Sequence, residues 1–135
     1  MTRAERETFL AEVRIGVLGV ARPDGPPSLT PVWYRLAGDA VEMVTASSSA
    51  KIGLLRATGQ ASLCVQRESA PPAFVTVEGH VRVGPSTRAT VEAIASRYLG
   101  PDGGAAYAAG PGSHDDTLLT LDIERWRTTD FGKLE

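Results

Sequence analysis

From Ala73 to Val83 the chain reads AFVTVEGHVRV, and Val75, Val77, Val81 and Val83 alternate there with Thr76, Glu78, His80 and Arg82. Successive side chains of a strand point to opposite faces, so a period of two gives one buried face and one wetter face. Outward from this strand, similar chemistry recurs at short intervals. QASLCVQR (60–67) precedes it across the turn ESAPP, and TLLTLDIERWRTTDF closes the chain as one or two strands over 117–131. Nearer the start, RIGVLGVAR (14–22) and SLTPVWYRL (28–36) flank the turn-dense PDGPP as a hairpin, and AVEMVT follows the turn AGD. Pro31 has no amide hydrogen to give a ladder, so its strand should be bulged or at an edge there.

Helical signals lie at the margins. Thr2 followed by Glu5 is a capping-box pattern, and Phe9, Leu10 and Val13 recur at helical spacing, giving an N-terminal helix within 1–13. KIGLLRAT makes about two turns of a second helix. Ser86 can cap a third over 86–99, where Val91, Ile94, Ala95, Tyr98 and Leu99 form an apolar stripe that stops at Gly100-Pro101. DGGAAYAAGPGSHDD then reads as a Gly/Ala-rich loop with at most one helical turn. Five or six hairpin-spaced strands with three marginal helices argue for a mainly β, antiparallel barrel, its core in 14–84, rather than a doubly wound sheet. The first strand is apolar on both faces, more than the inside of one small barrel needs, so a homodimer packed barrel to barrel is expected.

Composition excludes several classes. The 135 residues, 42% hydrophobic and 22% charged, fit one domain, 1–135, with a single core. A net charge of −2 without long runs of one sign argues against nucleic acid as a partner. Cys64 cannot form an internal disulfide and reads as a small core residue in ASLCV. The first thirteen residues lack the apolar run of a signal peptide, and no stretch approaches the roughly 20 apolar residues of a membrane span, so a soluble cytoplasmic protein is expected, with no membrane partner. Hydrolase elbows, P-loops, dinucleotide fingerprints and zinc motifs are missing, and no metal site is expected. His114, beside Asp115 and Asp116, reads as loop polarity rather than a metal ligand, and His80 as a solvated or partner-facing side chain rather than a general base.

VTASSSAKIGLL (44–55) is harder to dismiss. A helix N-terminus carries roughly half a positive charge, so Lys51 there costs about a few tenths of a kcal/mol unless an anion compensates. Either the serines simply cap the helix and the lysine swings into water, or hydroxyls, helix amides and the ammonium converge on a phosphate. The preceding strand should pair with the one carrying Pro31, Trp33 and Tyr34, which would set an aromatic wall near that anion site.

In order and spacing, GVLGVARPDGPP, TPVWYRL, VTASSSAKIGLL and ASLCVQRESAPPAFVTVEGHV resemble the flavin-binding split-barrel superfamily, the pyridoxamine 5′-phosphate oxidase-like proteins, and among them the short flavin/deazaflavin oxidoreductases. ERWRTTDFGK is a weaker match. The resemblance implies a split β-barrel dimer with cofactors in grooves at the subunit interface. By position, Thr45, Ala46, Ser49 and Lys51 would bind the cofactor phosphate, Pro31, Val32 and Trp33 would line its ring, and Trp126 of the partner subunit would close the pocket. Ala50 stands where FMN-dependent members commonly have arginine, and PVWY is similar to proteins that use coenzyme F420. The resemblance therefore implies a deazaflavin oxidoreductase acting on a small organic acceptor, with FMN-dependent chemistry or a non-catalytic cofactor carrier as alternatives. Tyr34 and His80 are the side chains that could donate a proton if substrate comes within reach.

Overall fold

The computed structural model describes residues 1–110 and 116–133. Thr2 caps the first helix, α1 (Arg3–Ala11), its hydroxyl oxygen accepting from the Glu5 amide at 3.2 Å. Phe9 and Leu10 turn from it into the core, and the helix stops before Val13, which is exposed. Seven strands follow, where the sequence pattern suggested five or six: β1 (Gly16–Arg22), β2 (Gly25–Val32), β3 (Tyr34–Ala37), β4 (Ala40–Ala46), β5 (Gln60–Arg67), β6 (Ala73–Pro85) and β7 (Asp116–Asp130). Helix α2 (Ala50–Thr58) separates β4 from β5, and α3 (Arg88–Ala109) separates β6 from β7.

The strands form one sheet ordered β2-β1-β5-β6-β7-β4-β3, with antiparallel neighbours throughout. Its two outermost strands, β2 and β3, are consecutive in the chain, with Trp33 alone between them. Neighbouring Cα atoms are about 3.8 Å apart, so the two edges must meet within two peptide units. The sheet satisfies this by curling into a barrel that stays split at Trp33. Pro31, on the edge strand β2, takes the position its missing donor requires.

The long β6/β7 ribbon carries the rest of the sheet at opposite ends. β5 pairs with Ala73–His80 of β6, while β4 pairs with Asp116–Asp122 of β7. Between them the register shifts at Glu78/Gly79. A Cβ on Gly79 would stand 1.8 Å from the Asp122 carbonyl oxygen, so only glycine admits this approach of the two backbones. The Glu124 carboxylate accepts from the His80 amide at 3.1 Å beside the shift, satisfying a donor next to the break. The alternation that marked β6 holds: Val75, Val77 and Val81 are buried, Val83 partly so, against Leu63, Met43, Leu119 and Leu121.

Four local readings are corrected. Cys64 is exposed rather than in the core, because Leu63 and Val65 are the inward residues of β5 and the period of two turns Cys64 outward. β2 begins at Gly25, inside PDGPP, since Arg22 pairs directly with Gly25 across a two-residue turn. The cap of α3 is Thr87, not Ser86; its hydroxyl accepts from the Thr90 amide at 3.2 Å. Finally, α3 continues through DGGAAYAA instead of ending in a loop. Gly100 turns the chain with φ 80°, and Pro101 opens a second helical stretch where its missing amide leaves no helix bond broken. That stretch folds back closely: a Cβ on Gly104 would lie 2.7 Å from the Ser96 Cα. His114 lies outside the described residues. No helix among the described residues is long and apolar enough to cross a membrane.

Candidate functional site

The split in the barrel is bridged by a side chain. The Tyr98 phenol, on α3, donates to the Arg14 carbonyl at 2.8 Å and accepts from the Tyr34 amide at 3.1 Å, with the Tyr34 carbonyl at 3.3 Å. Burial pushes the phenol's pKa up, which keeps it a neutral donor. Trp33 stacks on the same ring, centroids 5.0 Å apart and planes 10° from parallel. From the returning part of α3, Tyr107 meets Trp33 at 5.5 Å with a tilt of 49°.

Beside Trp33 opens a cleft of about 360 Å³. Pro31, Val32 and Trp33 form its apolar wall, and Ile94, Ala95 and Tyr107 of α3 contribute to its lining. Its polar lining comes from Thr30, Thr45 and Lys51. β4 ends at Ala46, and Ser49 caps α2 with its hydroxyl committed to the Lys51 ammonium, which donates to it at 3.0 Å; the Ser49 side chain makes no bond to the helix amides. The first turn of α2 holds no acidic residue, and no carboxylate pairs with Lys51 among the described residues. Burial lowers the Lys51 pKa, as expected of an ammonium partly stripped of water with no anion in return. Lys51 thus brings a cation from the first turn of α2 into the cleft with no carboxylate paired to it among the described residues, a donor set that suits a phosphate or carboxylate.

Of the residues singled out from sequence, Pro31, Val32, Trp33, Thr45 and Lys51 meet in this cleft. Ser49 touches it through Lys51, whereas Ala46 is exposed and outside the lining. Tyr34 does not reach the cleft. It is fully buried, its hydroxyl donates to the Leu10 carbonyl at 3.0 Å, and burial pushes its pKa up, so position and acidity both remove it as a proton donor. His80 is exposed on β6, also outside the lining. Trp126 lies opposite Val77 on β7, half-buried, with the Arg6 guanidinium 4.6 Å above its ring, and takes no part in its own chain's cleft. Sequence reasoning missed Tyr107, which sits among glycines and alanines that show no apolar period. It placed Tyr98 on a helix stripe but could not foresee bonds to residues 64 and 84 positions away. No group of three or more His, Cys, Asp or Glu is placed to hold a metal ion among the described residues.

A single antiparallel sheet whose edge strands are joined by one residue, and which stays split there, is a split β-barrel. The chain belongs to the pyridoxamine 5′-phosphate oxidase family, whose pattern matches residues 2–130. Among solved structures it is similar to a conserved hypothetical protein from Mycobacterium tuberculosis, at 24% identity and a TM-score of 0.80, over 97% of this chain and 86% of that one. An F420 reductase aligns at 20% identity and a TM-score of 0.76, over 90% of this chain and 94% of that one. A FAD-binding protein from Mesorhizobium loti aligns at 20% identity and 0.74, over 95% and 94%. At these identities the likeness is one of fold. No curated protein matches the chain.

Proposed function

We propose that the chain is an oxidoreductase that holds coenzyme F420 beside Trp33 and uses it in hydride transfer to a small organic acceptor with an electron-poor double bond. The observation that carries this reading is Lys51, which no carboxylate among the described residues pairs with, in a cleft walled by Trp33. Lys51, Ser49 and Thr45 hold the phosphate, while Pro31, Val32 and Trp33 bound the ring. Ala50 adds no second cation, and a single lysine suits the one charge of a phosphodiester better than the charge of about −2 on the FMN monoester. When bound, the coenzyme supplies the hydride chemistry; the chain orients the ring and excludes water. Among the described residues the cleft lining contains no carboxylic acid and no histidine.

A second copy completes the site. Pro31 lines the cleft and also an apolar groove of about 710 Å³, shared with Val17, Leu29 and Cys64 on the outer face of β1, β2 and β5. A subunit seated in that groove borders the cleft, and Trp126 of the partner subunit closes it over the ring.

The test is titration of the purified protein with F420 and with FMN, followed by spectrum and heat. Tighter binding of F420, with oxidation of its reduced form by acceptors such as activated enones, supports the proposal. Tighter binding of FMN makes the protein an FMN-dependent member of the same family. Binding without turnover across a broad acceptor panel makes it a carrier, and binding of neither coenzyme overturns the reading.

A further inference from the structure

The two tyrosines in contact with Trp33 lie at nearly the same distance from it but are held very differently. Tyr98 is half-buried, its phenol fixed by the Arg14 carbonyl and the Tyr34 amide, and its ring is stacked within 10° of the indole plane. The Tyr107 phenol has no hydrogen-bond partner among the described residues, the residue is 47% exposed, and its ring sits 49° off the indole plane. Its neighbours in GGAAYAAG bring no other large side chain to fix it, while Gly104 and Ala108 of that helical stretch are buried.

The contact with Tyr98 is therefore built permanently, whereas Tyr107 meets the indole at a tilt with little among the described residues to hold it. An uncovered indole in an open cleft would leave apolar area in water, and the tilted phenol offsets part of that cost. A wide planar ring lying parallel to Trp33 overlaps it more fully than a tilted phenol does. At about 360 Å³ the cleft is also at the small end of the range of about 300–1,000 Å³ for ligand sites, and outward rotation of Tyr107 enlarges it. We infer that Tyr107 is a stand-in for the ring of a planar aromatic ligand: it covers Trp33 in the free protein and yields its place when such a ring enters. It is thus a specificity-determining residue, since only a flat ring with more to gain on the indole displaces it. The inference rests on the cofactor reading above.

The experiment measures the affinity of lumiflavin, FMN and F420 for the wild-type protein and for Tyr107→Ala and Tyr107→Phe. Tyr107→Ala removes the competing ring and should tighten ring binding about 3- to 10-fold, while Tyr107→Phe, which keeps the ring, retains wild-type affinity. In ligand-free protein carrying Trp126→Phe, so that Trp33 alone emits, Tyr107→Ala should raise quenching by acrylamide. Affinity unchanged or weakened in Tyr107→Ala, or quenching unchanged, overturns the inference and leaves the cofactor reading standing. Failure of all three rings to bind wild type and variants alike overturns the cofactor reading and this inference with it.

Discussion

At the scale of single residues, Lys51 is legible in the sequence because it is an electrostatic misfit, and the structure keeps the misfit: a lysine at the start of α2 whose ammonium, among the described residues, bonds only the Ser49 hydroxyl. If it holds a phosphate through a charged hydrogen bond, Lys51→Ala should weaken F420 binding by about 1.5 to 3 kcal/mol, read as the ratio of dissociation constants. Its pH dependence has a definite sign. The protonated lysine binds the anion, and burial lowers its pKa in the free protein, so affinity is full below that lowered value and falls as pH rises through it. Lys51→Ala should flatten this alkaline limb in a titration series. Tyr34 shows the limit of residue-level reading. Its place in PVWY invited a chemical role, yet its ring is core and its hydroxyl holds α1 through the Leu10 carbonyl. Tyr34→Phe should therefore cost about 1 to 2 kcal/mol in denaturant unfolding and leave cofactor affinity unchanged.

At the scale of elements, the strands were readable because β6, β5 and the β1/β2 hairpin carry their own period and turn chemistry. The bulge between β6 and β7 was not, since it depends on where two distant strands meet. Gly79 is the residue it hinges on: alanine there drives a Cβ to within 1.8 Å of the Asp122 carbonyl oxygen, and the neighbour is backbone that cannot swing aside. Gly79→Ala should destabilise by more than about 2 kcal/mol in chemical denaturation, whereas Gly84→Ala on the same strand, with nothing within 4 Å, should stay within about 0.5 kcal/mol. The return of α3 was missed for a related reason. Gly100-Pro101 signals a stop, and the same pair serves as the end of one helical stretch and the first turn of the next; only the contact of Gly104 with Ser96 decides between them, and that contact is tertiary.

At the scale of the whole molecule, the strand order could not be read locally, because β2 and β3 are neighbours in sequence and opposite edges in the sheet. That order places Trp33 at the split and the cleft beside it, and among the described residues no element covers the outer face of β1, β2 and β5. Leu29 is 69% exposed and Ile15 47%, and with Val17 they form an apolar groove larger than the cleft itself. Scattered apolar residues are ordinary on a monomer, but a contiguous groove of them marks an interaction site, which the proposed second copy would fill. Val17 points outward from β1, so Val17→Glu should leave the fold intact by circular dichroism while placing a charge in the middle of that face. Light scattering should then show a dimer for the wild type and a monomer for the variant. Because Pro31 belongs to both groove and cleft, the monomer should also lose affinity for F420, while Lys51→Ala should lose affinity and remain a dimer. A wild-type monomer, or a Val17→Glu monomer that binds as tightly as wild type, would place the complete site within one chain and remove Trp126 of the partner subunit from it.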